Sequence, residues 1–491
     1  MIRGFIQDMA KYLPAQVAPA VVGLVSIPIL TRLFPPRDYG NYVLVMATVS
    51  VMAVIVGWLS MAIIRFYPAY ERDDRLQELY STVIMWLLVS VFIMAVVFLA
   101  ILIFIRSLLE KRLYSLMLIG ILVFVLSASF EVLQHFLRAK RKAALYSSFT
   151  VWKNVAGLGI GISLVLLFGL SIEGLLWGSI LGISLAFPIL WKISIERQPF
   201  RGIISSELTK EMAKYSFPLV FANLAAWILS LSDRYILELF RSSNEVGIYS
   251  ASYSISERSI LLIASLFLLS SGPISMIVWE KEGEQKSKDF ISNVTRYYLL
   301  LCIPAVVGIS ILSKPIIEVF TGVQYREGFR IMPFVALGGL FLGLQQRFQA
   351  GFVFYKKTHF IMSAIIVAGL VNVGLNLLFV PKYGYMAAAV TTLIGYTVLL
   401  VILVISSRKY FIWEFPFKSL GRATFAAAIM GAAIYPVGNG LTSSILINLI
   451  LGICVGIIVY TLILFLMKEP NKKEIQLLLE LRDRLFGRIS R

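Results

Sequence analysis

A chain of 491 residues that is 59% hydrophobic, with mean hydropathy +0.85, carries more apolar side chain than a water-soluble globule needs. Its charged residues, 15% of the chain, fall between apolar runs, and the net charge of +18 is spread over many short loops. That spread argues against nucleic acid as a partner and for topology signals and contacts to anionic membrane lipid. The two cysteines, Cys302 and Cys454, lie inside apolar runs, so neither a disulfide scaffold nor a zinc site is expected.

Each apolar run is about 20 residues long, enough to cross a hydrocarbon core of about 30 Å. Backbone groups at that depth must satisfy each other, so the runs are predicted to be helices. In chain order the cores fall at 12–31, 41–66, 79–105, 113–137, 145–168 and 173–192, then at 214–237, 247–270, 294–313, 329–354, 359–380 and 385–407, with a further pair at 421–438 and 444–467. The expected fold is all-α: a polytopic membrane protein of about 14 spans. The first run ends at Thr31-Arg32-Leu33 with no small-residue cleavage pattern and reads as a span, not a signal peptide. In the tail, Ile475, Leu478, Leu479, Leu481, Leu485 and Phe486 fit one helical face. An amphipathic helix on the membrane surface and a partly ordered charged tail both remain open.

Sorting the 45 Lys and Arg residues by alternate loops puts about 30 on the side of both termini. Loops on that side include 138–142, Lys356-Lys357 and Arg408-Lys409, whereas 169–172 and 439–443 on the other side carry no positive charge. The expectation is a cytoplasmic (inner) membrane location with N- and C-termini in the cytoplasm.

One phrase occurs twice. Met9-Ala10-Lys11-Tyr12 precedes Pro14, and Met212-Ala213-Lys214-Tyr215 precedes Pro218. The repeat continues: Asp38-Tyr39-Gly40-Asn41-Tyr42 follows the first span, and Glu245-Val246-Gly247-Ile248-Tyr249 follows the seventh. Phe168 to Gly174 likewise matches Phe379 to Gly384 in position. An ordered series of matches indicates an internal repeat. With six spans per half, the halves should be related by an axis along the membrane normal, as in transporters whose site lies between two repeats. The expected organisation is an N-terminal lobe (1–200), a C-terminal lobe (201–410), an extra helix pair (411–467) and the tail (468–491).

Leu30-Thr31-Arg32-Leu33-Phe34 with Asp38-Tyr39-Gly40-Asn41-Tyr42 resembles the opening signature of the polysaccharide-export flippases. Val380-Pro381-Lys382-Tyr383-Gly384, followed by Tyr385-Met386-Ala387-Ala388-Ala389, resembles their second-half signature. The family includes O-antigen and teichuronic-acid exporters, in one superfamily with lipid II flippases and multidrug and toxin extruders. The resemblance implies two six-helix lobes forming a V around a central cavity. It implies a substrate of undecaprenyl-diphosphate-linked oligosaccharide, flipped outward from the cytoplasmic leaflet by rocking of the lobes. It further implies polysaccharide polymerase machinery as a candidate partner, and a groove for the lipid tail on the extra helix pair.

No phosphate loop, His-Glu-x-x-His site or Gly-x-Ser-x-Gly elbow occurs, so no bound cofactor and no enzymatic activity is expected. Transport would then draw on a Na+ or H+ gradient or on the membrane potential. His135 and His359 near helix ends read as interfacial residues. The candidate site residues are cations within the spans: Arg258, Arg347, Lys153 and Arg65. A charge at such depth is costly and should face a cavity or a partner, and a guanidinium fork suits diphosphate oxygens. For Lys153 the alternative is pairing with Glu131, and for Arg65 it is snorkelling to the interface. For Arg258 it is an ion pair with an acid on a neighbouring helix, Glu257 being badly placed as the adjacent residue. Arg347 is expected to line a vestibule. Asp233 and Arg234 form either a gate pair or a helix-end cap. Pro14, Pro19, Pro28 and Pro218 are expected to interrupt the first and seventh spans at matching positions, and Asn223 could bond a sugar or the freed carbonyls.

A cation-coupled multidrug extruder or a lipid II flippase is the nearest alternative, but an excess of intramembrane cations favours an anionic substrate. A membrane glycan polymerase or ligase would need a long outer loop, and the outer loops are short.

Overall fold

A computed structural model describes residues 2–196, 204–438 and 440–471 together with Glu474 and Gln476; side chains are described from residue 13 onward, except 266, 268–270 and 273. Ile475, Leu478, Leu479, Leu481, Leu485 and Phe486 of the expected tail helix lie outside the described residues. Within them the chain forms α1 (Ile2–Leu33), α2 (Pro36–Val56), α3 (Trp58–Arg72), α4 (Leu76–Phe104), α5 (Lys111–Ala139), α6 (Ala143–Phe168) and α7 (Glu173–Ile195). The second half continues with α8 (Ser206–Phe240), α9 (Ser243–Ile311), α10 (Ser313–Phe320), a 3-10 stretch (Val323–Ile331), α11 (Met332–Phe354) and α12 (His359–Ser407). The last pair is α13 (Phe417–Gly438) and α14 (Ile445–Leu466). No strand occurs among the described residues, and 12 helical stretches are long and apolar enough to cross a membrane. The chain is therefore an all-α, multi-pass membrane protein.

Local chemistry sets where the helices begin and break. Extended Pro35 (φ −66°, ψ 159°) leads into Pro36 in the first turn of α2, where a missing N–H costs nothing. Ser205 caps α8, its hydroxyl accepting from the Leu208 N–H at 3.2 Å. The expected second span is divided at Gly57 into α2 and α3. The eleventh and twelfth spans run together in α12, and Gly384 (φ 58°, ψ −143°) breaks the helix between them in a region that favours glycine.

Pro14, Pro19 and Pro28 lie inside a continuous α1, and Pro218 lies inside a continuous α8, so none of them ends a helix. Each proline removes one donor, and the remaining ladder carries the helix through.

The helices gather into two compact units that do not coincide with the two sequence halves. The first comprises Met1–Ser254, Thr321–Tyr325 and Met362–Gly395; the second comprises Ile255–Phe320, Arg326–Ile361 and Tyr396–Arg491. In the first unit α8, from the second half, lies along α2, α3 and α4. Trp227 Nε1 donates to Ser50 Oγ at 2.8 Å, Thr48 and Tyr235 share a hydrogen bond of 2.7 Å, Trp58 stacks on Phe217, and Trp86 Nε1 donates to Thr209 Oγ1 at 3.0 Å. In the second unit the small residues Ala423, Ala426 and Ala427 of α13 let that helix approach α9, burying Tyr298, Cys302 and Met430 with it.

A polar tie closes the second unit after α14. Arg296 of α9 bonds Glu469 at 2.7 Å and Glu474 at 2.6 Å, Tyr297 donates to Glu474 at 2.6 Å, and Ser419 and Arg422 of α13 donate to Glu469. The hydrogen bond from Arg296 holds the Glu474 carboxyl at about 2, below the ordinary 4.5, against an opposing effect of burial. Burial raises Glu469 as well, but the bonds from Ser419, Arg422 and Arg296 outweigh it and leave that carboxyl lowered. A depressed carboxylate pKa stabilises fully above its unfolded value and progressively less below it. The tie should therefore be complete at about pH 7 and release as the pH falls from about 4.5 towards about 2. Hydrogen exchange of the 468–471 backbone, corrected for intrinsic rate, should rise over that window, while a Glu474→Gln variant already exchanges faster at neutral pH.

Candidate functional site

The repeated motif places its two glycines against each other. Gly40, in the first turns of α2, and Gly247, in the first turns of α9, are both buried where these helices cross. A Cβ on Gly40 would overlap the carbonyl oxygen of Ser243, and one on Gly247 would overlap the carbonyl oxygen of Pro36. Only hydrogen at both positions lets the two backbones touch. The crossing is closed over by residues 321–325: the Gly322 N–H donates to Thr31 Oγ1 at 3.2 Å, the Tyr325 hydroxyl donates to the Phe34 carbonyl at 2.9 Å, and Tyr325 meets Tyr39 edge to face. Glu245, the acidic residue of the second motif, accepts from the Tyr385 N–H at 3.1 Å and from Arg241 Nε at 2.8 Å, tying the start of α9 to the break in α12. Asn41 beside Gly40 is wholly buried, and neither its Oδ1 nor its Nδ2 has a hydrogen-bond partner among the described residues. Burial without a partner costs about 1–3 kcal/mol, so the crossing carries a local penalty.

Asp233 and Arg234 are neither a helix-end cap nor exposed. α8 runs on to Phe240, and the two residues are 1% and 4% exposed. Arg234 Nη1 donates to Asp233 Oδ1 at 2.9 Å and to the Ser230 carbonyl at 2.9 Å. Its guanidinium lies over the rings of Tyr253 (4.9 Å) and Tyr249 (5.5 Å), and the Tyr249 hydroxyl donates to Asp233 Oδ2. From α12, Thr392 donates to the same oxygen at 3.4 Å, Asn372 donates to Thr392 at 3.4 Å, Asn376 donates to Asn372 at 3.2 Å, and Thr391 donates to Asn376 at 2.8 Å. The carboxylate is neutralised by its own neighbour, and the chain of amides and hydroxyls joins α8, α9 and α12 inside the first unit. Sequence reasoning missed Tyr249, Asn372, Asn376, Thr391 and Thr392. Asn372 and Asn376 gave a usable signal: two amides four residues apart in an apolar span.

The remaining candidates separate. Lys153 Nζ meets Glu131 Oε1 at 2.8 Å, so the ion-pair alternative is the one present. Arg65 and Asn223 are exposed. Arg258 is half-buried beside half-buried Glu257, and its Nη1 is buried without a hydrogen bond among the described residues. Arg347 is only 4% exposed and does not line an open vestibule in this state. Its guanidinium lies over the Tyr298 ring (5.5 Å), which covers it, and Nη1 reaches Ser271 Oγ at 3.4 Å. Its Nε and Nη2 have no hydrogen-bond partner among the described residues. Both arginines belong to the second unit. The unused guanidinium hydrogens are donors directed for anionic oxygen. Among the described residues no cluster of His, Cys, Asp and Glu could hold a metal ion.

Two outcomes are expected. Asp233→Ala removes the carboxylate that neutralises a buried guanidinium and should lower stability in detergent by about 3–5 kcal/mol, whereas Tyr249→Phe removes one donor and should cost about 1–3 kcal/mol, both read from thermal unfolding. Gly40→Ala or Gly247→Ala should force the crossing apart. Cysteines introduced on α2 and α9 near the crossing would then crosslink far less than in the parent protein, with the fold retained.

A family model described as "Polysaccharide biosynthesis protein" matches residues 5–277. The probable low-salt glycan biosynthesis flippase Agl15 of Haloferax volcanii is 22% identical over 350 residues, 70% of this chain and 72% of that protein. An uncharacterized membrane protein of Methanocaldococcus jannaschii, MJ1068, is 22% identical over 394 residues, 74% of this chain and 76% of its own. Among solved structures, the lipid II flippase MurJ in an inward closed conformation superposes with TM-score 0.75 at 20% identity, covering 93% of this chain and 98% of MurJ. An inward-facing multidrug transporter of the MATE family, of the MOP superfamily, gives TM-score 0.65 at 14% identity, covering 81% and 97%. The fold is thus shared with these transporters, and with more than half its length matched the chain belongs to the polysaccharide biosynthesis protein family.

Proposed function

We propose that this protein is a flippase that carries a polyprenyl-diphosphate-linked oligosaccharide, a surface-polysaccharide repeat unit such as O-antigen, across the cytoplasmic membrane by alternating access. The observation that carries the reading is the pair of partly unsatisfied arginines, Arg258 and Arg347. A buried guanidinium N–H without an acceptor is costly, and it is understandable if another state of the transport cycle supplies the acceptor. Diphosphate oxygens are the acceptors that a planar fork fits best. Family membership and the flippase named among the relatives support the same reading. A cationic drug would be repelled by these groups, which sets the multidrug alternative aside.

Loop charge puts both termini in the cytoplasm, so the ends of α2 and α9 that carry Pro36 and Ser243 face outward. The glycine crossing then lies on the outer side of the first unit, and separating its two helices would hydrate Asn41, which offsets part of the cost. The cargo leaves chemically unchanged, so no enzymatic step is involved. The driving force is a Na+ or H+ gradient or the membrane potential, and polysaccharide polymerase machinery receives the product.

In proteoliposomes loaded with a fluorescent polyprenyl-diphosphate glycan, Arg258→Ala and Arg347→Ala should each slow translocation about tenfold to a hundredfold, the worth of about 1.5–3 kcal/mol for hydrogen bonds to a charged group. Both variants should remain folded in the membrane. Translocation at the parent rate by both would overturn the assignment.

A further inference from the structure

On the first unit, α1 and α6 enclose a groove of about 630 Å³, within the range of small-molecule sites. Its α6 wall is formed by Ala144, Ser148, Val151, Trp152 and Val155, positions that share one helical face, and Pro14 of α1 stands opposite. The lining is almost wholly apolar. Trp152 is fixed as a wall because its Nε1 donates to the Gly182 carbonyl at 2.8 Å, which uses the only polar group of the indole. From Ala144 to Ala156 the groove follows α6 for about 18 Å. One leaflet of a bilayer contributes about half of a 30 Å core, or about 15 Å. The groove is therefore one leaflet long.

Its end is marked by charge. α6 begins directly after the turn of Lys140, Arg141 and Lys142, which follows Arg138 in the last turn of α5; Arg141 takes a left-handed backbone (φ 57°) and the Lys142 N–H closes back on the Leu137 carbonyl at 2.9 Å. Two of these four cations are occupied. Lys140 bonds the Ser194 carbonyl at 2.7 Å and Glu196 at 3.2 Å, and Lys142 bonds Glu196 at 2.7 Å. Arg138 and Arg141 are exposed and make no ion pair among the described residues. A leaflet-long apolar slot that begins at Ala144, with two open guanidinium forks just before it in the chain, matches the two parts of a phospholipid.

We propose that this groove binds an anionic glycerophospholipid of the leaflet on that side, one acyl chain lying along Ala144, Val151 and Val155 and the phosphate on Arg138 and Arg141. A guanidinium pairs with phosphate through two parallel bonds, and basic residues at an anionic membrane surface add attraction of their own. The leaflet length selects a phospholipid acyl chain over the much longer polyprenyl chain of the proposed cargo. The site is thus separate from Arg258 and Arg347 in both residues and ligand.

The test uses the full-length protein in detergent, with native mass spectrometry after adding phosphatidylglycerol or phosphatidylcholine of identical acyl chains. The parent protein should retain phosphatidylglycerol over phosphatidylcholine, and Arg138→Ala with Arg141→Ala should reduce that retention about tenfold, near 1.4 kcal/mol. Val151→Phe, which fills the slot, should abolish retention of both lipids. If Val151→Phe fails to fold, Ser148→Phe at the exposed edge serves instead, and the arginine variant alters only exposed positions at the end of α5 and in the turn after it. Equal retention of the two lipids, no effect of the double arginine variant, or displacement of phosphatidylglycerol by added polyprenyl diphosphate would overturn the proposal.

Discussion

Two helices touch backbone to backbone where Gly40 meets Ser243 and Gly247 meets Pro36. Such an approach is available only to glycine, and here it comes from equivalent places in the two sequence repeats. Much of the first unit follows from it. With the starts of α2 and α9 fixed together, α8 is carried along α2 and α3, where Trp227, Tyr235 and Phe217 find partners in the first half of the chain. The contact includes the unpartnered amide of Asn41. A contact of that kind can be broken at modest cost, as a gate requires.

Two kinds of buried charge stand apart. Around Asp233 every charge has its answer: Arg234, Tyr249 and Thr392 surround the carboxylate, and the amides of α12 extend the network. A satisfied cluster of that sort positions helices. Arg347 and Arg258 instead keep donors in hand. The same physics that makes Asp233 structural makes these two arginines candidates for binding.

Much of this was legible in the chain. Apolar run length set the helices, and the expected cores fall on helical stretches, one of them divided at Gly57, because a membrane leaves the backbone no alternative. The repeat motif identified Gly40 and Gly247 as special without revealing that they meet, since a contact between residues about 200 positions apart is tertiary. Proline did not mark helix ends: α1 and α8 continue through Pro14, Pro19, Pro28 and Pro218. Lys153 and Arg347 show the limit of reading depth alone. For Lys153 the sequence named the acid, Glu131, without deciding between pairing and a cavity; for Arg347 the aromatic ring over it does not follow from sequence spacing. The division into units that cut across the repeats was equally hidden, because it depends on which helices of the second half pack on the first.

The most direct measurement is mass spectrometry of the lipids that accumulate, and of the leaflet that holds them, when cells are depleted of this protein. The account predicts a build-up of polyprenyl-diphosphate oligosaccharide confined to the cytoplasmic leaflet, reversed by the parent protein. An unchanged pool of that lipid, with new sensitivity to cationic drugs, would contradict it.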